Sequence, residues 1–193
     1  MVKNKFTTFY HKADDTFSIG VFAHQLNFLV EEHEKKHGPS SILFLCIGSD
    51  RVTGDCLGPL IGYKLSNTQH FIHIPVFGTL KHPVHAINLC DTLEAIKIQY
   101  KNPLIIAIDA SIGDNSHIGY ITLSNRALRP GLGVEKNLPE VGHITITGIV
   151  SDECNFNCLF LQHTPLSLVM SLADCIFYGI SRFFGYDKWR LPL

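Results

Sequence analysis

Several features are missing from this sequence, and each absence excludes something. Lys and Arg are scattered rather than gathered into a stripe, and the formal net charge is -1, so the electrostatic footprint of a nucleic-acid binder is absent. The longest apolar runs are interrupted by Gly, Asn, His or Asp before they reach membrane-spanning length. The opening MVKNKFTTFYHKADDTFSIG holds neither an apolar h-region nor a small-residue cleavage site. Neither nucleic acid nor membrane is expected as a partner, and the expected location is cytoplasmic. Internal repeats, linkers and low-complexity tracts are also lacking, so the 193 residues fit one domain with a core that needs no metal or disulfide staple. The six cysteines are dispersed over a chain too long for a disulfide scaffold. Reduced, mostly buried thiols are expected.

What is present alternates in period. After a polar, mixed arm over residues 1–17, SIGVFAHQLNFLVEEHEKKHG spaces Ile19, Phe22, Ala23, Leu26, Leu29 and Val30 as on one face of a helix. Ser18 is placed to cap it and Gly38-Pro39 to end it, with Lys35, Lys36 and His37 in the last turn. SILFLCIG and PLIIAIDA read as strands buried on both faces, and FIHIPVFG as another strand. HAINLCDTLEAIKIQY is a helix between the last two. A further helix begins near Asp55 to Leu57, where Pro59 is tolerated in a first turn. HIGYITLSN alternates as an outer strand, HITITGIV is β-branched, and TPLSLVMSLADCIFYGISRFFG forms a last helix closed by Gly185. Strands alternating with helices imply an α/β domain over residues 18–193, with a mostly parallel sheet covered on both faces.

In such a sheet the ligand site lies beyond the carboxyl ends of the strands. The loop GSDRVTGDCLG follows one strand and Asp109 ends another, so Asp55 and Asp109 should share one edge of the sheet. Asp55 could simply cap the helix that follows it. Asp109, emerging from a buried strand, has little structural purpose beyond binding loop N–H groups. The loop lacks both G-x-x-x-x-G-K-[ST] and G-x-G-x-x-G, and its acidic side chains would repel a phosphate. His82 and His85 flank a helix start beside the same edge. Cys154, Cys158 and His163 supply too few ligands for a metal site, and Cys56, Ser111 and Ser151 lack a visible partner base.

The stretches IGSDRVTGDCLGPLIG, FGTLKHPVHAINL, IIAIDASIG and RPGLGVEKNLPEVGHITITGIV, taken together and in order, resemble the YyaC-type sporulation proteins of endospore-forming bacteria. That family is related to the germination protease and more distantly to the hydrogenase maturation endopeptidases. The resemblance spans about residues 41–150. It implies a phosphorylase/hydrolase-like three-layer α/β/α sandwich and a peptidase whose catalytic acids are Asp55 and Asp109. Gly48, Ser49, Asp50, Arg51, Thr79 and His85, on the loops at the same strand ends, are expected to shape the cleft, and the resemblance further implies that Gly131 and Gly133 approach a substrate backbone.

Peptide hydrolysis by a carboxylate pair requires no cofactor. A divalent metal between Asp55 and Asp109 stays open, although Arg129 stands where the maturation enzymes carry a metal-binding His. The implied partner is a peptide or protein substrate, such as a spore protein, met in the forespore or mother cell. Two alternatives of the same fold stay open beside it: a peptide- or metal-recognising module that does not cut, and a small-molecule hydrolase.

Overall fold

The computed structural model describes residues 6–13, 16–130, 138–152 and 159–185. Six strands form one sheet in the order β1-β5-β6-β4-β2-β3. They are β1 (Thr8–Lys12), β2 (Ile42–Cys46), β3 (Val76–Phe77), β4 (Leu104–Gly113), β5 (Tyr120–Ser124) and β6 (Ile144–Asp152), joined with α1 (Thr16–His37), α2 (Leu57–Ser66), α3 (Leu89–Gln99), α4 (Leu159–His163) and α5 (Leu166–Phe183). β3, β2, β4 and β6 run parallel, whereas β5 is antiparallel to β6 and β1 antiparallel to β5. The chain is therefore mixed α/β, with its parallel strands adjacent.

The two-residue side-chain period of the strands builds two cores. Phe44 and Cys46 of β2, with Ile106 and Ile108 of β4, join Phe22 and Leu26 of α1, Ile61 of α2 and Ile176 of α5. The alternate residues Leu43, Leu45 and Ala107 pack with Leu89 and Ile96 of α3. Helices thus cover both faces, the α3 face more thinly.

Three sequence expectations are modified. Part of the polar arm is an edge strand: Phe9 packs near Phe28 and the buried His11 against Phe22, while Tyr10 between them is exposed. α1 begins at Thr16, so Ser18 lies inside the helix instead of before it, whereas Gly38 ends it as expected at φ +84°, donating to Glu34. The run FIHIPVFG yields only two strand residues, because Phe71 closes a 3-10 turn, Ile72 and His73 are exposed, and ladder pairing starts only after Pro75.

α5 also departs from the expectation drawn from interrupted apolar runs. By length and composition it could cross a membrane, with a mean hydropathy of 1.4 over 18 residues. In this fold Val169, Leu172, Ala173, Ile176 and Ile180 bury its apolar stripe in the core, and Asp174 is paired with Lys64 of α2 at 2.7 Å. Its hydropathy is accounted for by packing.

Candidate active site

The site grows from the way β2 ends. Beyond Cys46 the chain keeps parallel contact with the segment before α3: Ile47 bridges to Val84, and the Gly48 amide donates to the Val84 carbonyl at 2.8 Å. Gly48 then turns at φ +137°, where a Cβ would lie 2.0 Å from the backbone oxygen of Asp55. Only glycine lets the loop fold back this closely. The Ser49 amide donates to that same Asp55 oxygen at 3.1 Å, and the Ser49 hydroxyl accepts from the Arg51 amide. Gly58, whose Cβ would meet the Ile47 carbonyl at 2.0 Å, lets the first turn of α2 press on the strand end. The Gly-rich loop is a clamp that fixes Asp55 beside the end of β2.

Asp55 sits inside a 3-10 turn, Thr53–Cys56. The cap positions of that turn and of α2 are Val52 and Cys56, and neither makes a side-chain cap hydrogen bond. Capping therefore does not account for Asp55.

Asp109 arrives from β4. The last β2–β4 register pair is Cys46 with Ile108, so Asp109 stands one residue beyond the end of β2 and opposite Thr147 of β6; it does not end its own strand as the sequence suggested, because β4 continues to Gly113 through its pairing with β6. It is buried, and its Oδ1 accepts from the Ala110 amide at 2.8 Å. The alternate strand positions beside it are hydroxylic: Ser111 donates to Thr147 Oγ1 at 3.1 Å, and Thr147 shares a 2.7 Å hydrogen bond with Thr122.

A cleft of about 470 Å³ brings these parts together. Both carboxylates line it, as do Gly48, Ser49, Asp50, Arg51 and His85. Thr79 does not. It closes a tight turn with His82, whose amide donates to both its carbonyl and its hydroxyl. Gly131 and Gly133 lie outside the described residues, as do Cys154 and Cys158, although neighbouring Pro130 does line the cleft. Arg129 is ion-paired with Glu140 on the surface. Sequence reasoning missed the apolar wall, Ile47, Pro83, Ala86 and Ile87; the last of these is 79% exposed. The pattern HPVHAI did not announce that wall, since Val84 in the same stretch is buried in the core while Ile87 is exposed.

The electrostatics separate the two acids. Burial raises Asp55 to about 6, against a smaller lowering by the Ser49 amide and by His85. Asp109 is raised well above the usual carboxylate range, by burial first and then by the charge of Asp55, with the Ala110 amide opposing. Both acids are thus held above the ordinary carboxylate range, and the charge of Asp55 opposes ionisation of Asp109. Cys56 is no rival nucleophile: burial, Asp55 and Asp50 all raise it, and its Sγ donates to the Thr53 carbonyl at 3.0 Å.

Comparison with known proteins adds the lineage. The family model described as "Protein of unknown function (DUF1256)" matches residues 14–179. The chain belongs to the DUF1256 family. A curated member, "Uncharacterized protein YyaC" of Bacillus subtilis (strain 168), is 41% identical over 168 residues, covering 87% of this chain and 81% of that protein. The DUF1256 match runs from before α1 into α5 and so includes both carboxylates and the loops that hold them. YyaC-type membership, expected from the motifs, is thus established.

Proposed function

We propose that this DUF1256 protein is a germination-protease-like peptidase that hydrolyses a peptide bond with the pair Asp55 and Asp109. One observation carries the reading: two carboxyls from different elements line one cleft where β2 ends beside β4, both raised by burial and with the charge of Asp55 opposing ionisation of Asp109, and we read them as sharing one proton, Asp55 the ionised partner. That division of labour is what acid-pair hydrolysis needs. The helices on both faces of the sheet support an α/β/α sandwich of the phosphorylase/hydrolase type, and the resemblance to sporulation proteins supports a peptide or spore-protein substrate within a sporulating cell.

The chemistry follows from the two protonation states. Ionised Asp55 takes a proton from water as the water oxygen attacks the carbonyl carbon, while Asp109 donates its proton to the carbonyl oxygen. In collapse, Asp55 passes its proton to the leaving nitrogen, the C–N bond breaks, and Asp109 recovers its proton from the hydroxyl that becomes the new carboxyl C=O. Both acids end as they began. The mechanism asks for no metal; among the described residues no group of three or more His, Cys, Asp or Glu could hold one, and a hard divalent cation, if bound, would rest on Asp55 and Asp109 with water completing its shell.

Incubating the protein with peptides from a sporulating-cell digest and reading new termini by mass spectrometry tests this reading. Cleavage products are expected from the unaltered chain, undiminished by a chelator. Binding without any product would instead support a recognition module, and turnover confined to small esters or amides a small-molecule hydrolase.

A further inference from the structure

The opposite end of the sheet carries a second cluster that the carboxylate chemistry does not use. His33 and His37 stand one turn apart at the end of α1 with ring centroids 4.5 Å apart. His143, just ahead of β6, brings its ring to 4.9 Å from His33. Three imidazoles in contact make each added proton repel the next. His33 is accordingly lowered to about 4, by burial first and then by His143, His37 and Lys36. His143 is lowered by burial and by His37.

The backbone fixes the tautomer of His143. Its Nδ1 accepts from the Ile105 amide at 3.0 Å, so in the neutral ring the proton sits on Nε2. That arrangement resists a second proton and keeps Nε2 from serving as a metal ligand. What His143 offers is a neutral N–H donor.

A cavity of about 540 Å³ is walled by the three histidines with Lys97, Tyr100 and Asn102, and its lining contains no Asp or Glu among the described residues. A smaller cavity of about 260 Å³ shares the same three rings and adds Lys36 and Glu32 of α1. Glu32 is 3.5 Å from Lys35. The charged or titratable groups facing the rings are thus Glu32 and Lys36 from α1, Lys97 from α3 with Tyr100 just beyond it, and His143 itself from the segment entering β6. Donors and latent cations converge here with little opposing charge.

We propose that this pocket binds a small oxyanion, phosphate or carboxylate in type, and takes up a proton on the His33–His37 pair as it does so. An anion between the rings turns mutual repulsion into attraction, so by linkage binding of a given ionic form must tighten as pH falls. Lys97 and the His143 Nε2–H supply contacts that need no proton uptake. The site is separate from Asp55 and Asp109 and stands or falls without them.

The test is an NMR titration of the histidine ring signals of the full chain in inorganic phosphate, in citrate and in chloride at matched ionic strength. In phosphate or citrate the His33 midpoint should return toward the ordinary value of 6.5, with Kd, referred to the fully ionised anion, tightening about tenfold between pH 7.5 and 5.5. The more effective of the two anions identifies the oxyanion class. His33→Gln should remove most of that pH dependence, and Lys97→Gln should weaken binding at every pH. Identical midpoints in all three salts would overturn the proposal. So would ring shifts produced by Zn²⁺ and not by phosphate.

Discussion

The charge of Asp55 bears on Asp109: the two carboxyls reach one cleft from different elements, and the buried Asp109 is pushed further above the usual range by its neighbour. Coupling of this kind divides one proton unequally between two acids. In the proposed mechanism it gives the cleft a direction, with the base on the loop side and the acid on the strand side.

Peptidase activity should follow a bell in pH. Asp55, raised to about 6, must be ionised to act as base, so the rate rises as pH climbs through about 6. It falls again at the higher pH where Asp109 loses its proton. A kcat/KM profile from pH 4.5 to 9.5 checks this. A rate that declines steadily from pH 4.5 upward would show that no group titrating near 6 has to be ionised, and would contradict Asp55 as the base.

Asp109→Asn should stabilise the protein while abolishing its activity. A carboxyl whose folded pKa lies above its unfolded value contributes most at low pH, and that contribution is lost as pH rises through the folded pKa. At pH 7 the buried Asp109 is therefore a liability, and Asn keeps the Oδ1 that accepts from Ala110. Thermal unfolding at pH 7 should show Tm raised by about 2–4 °C, the shift roughly 1 kcal/mol gives in a domain of this size. The gain should shrink toward pH 4.

His85→Ala should move the acid limb of the profile. His85 lowers Asp55, so its removal lets Asp55 rise, and activity near pH 6 should fall several-fold while the rate at pH 8 changes little. Equal losses at both pH values would instead place His85 in substrate contact.

The clamp at Gly48 can be tested against a glycine of similar backbone hand. Gly48→Ala places a Cβ 2.0 Å from the Asp55 oxygen, and should cost about 2 kcal/mol or more and displace the catalytic loop. Gly38→Ala, also at positive φ but with nothing within 4 Å, should cost only about 1 kcal/mol. Urea unfolding of the two variants separates backbone strain from collision.

Much of this was legible in the sequence, for identifiable reasons. The buried strands ILFLC and LIIAI announced themselves because a parallel strand covered on both faces is apolar at every position; the end of the first located the Asp55 loop, whereas β4 runs on past Asp109 to Gly113 because β6 continues to pair with it. β1 was hidden because an edge strand with one solvated face carries Thr, Tyr and Lys, a composition that also suits a loop. The shortness of β3 was hidden because Ile72 is 64% exposed despite its apolar character. Thr79 looked like a cleft residue by its place in the chain, yet its hydroxyl is engaged by His82 within a local turn. The three-histidine cluster was invisible because His143 lies more than 100 positions from His33 and joins it only through sheet register.

The most direct test of the acid pair is kcat/KM for the unaltered chain, Asp55→Asn and Asp109→Asn on one peptide that the protein is found to cleave, with folding verified by thermal unfolding. The expected result is a loss of about 10³-fold or more in each variant with the folded state retained. Full cleavage by either variant would contradict the assignment of Asp55 and Asp109 as the catalytic pair.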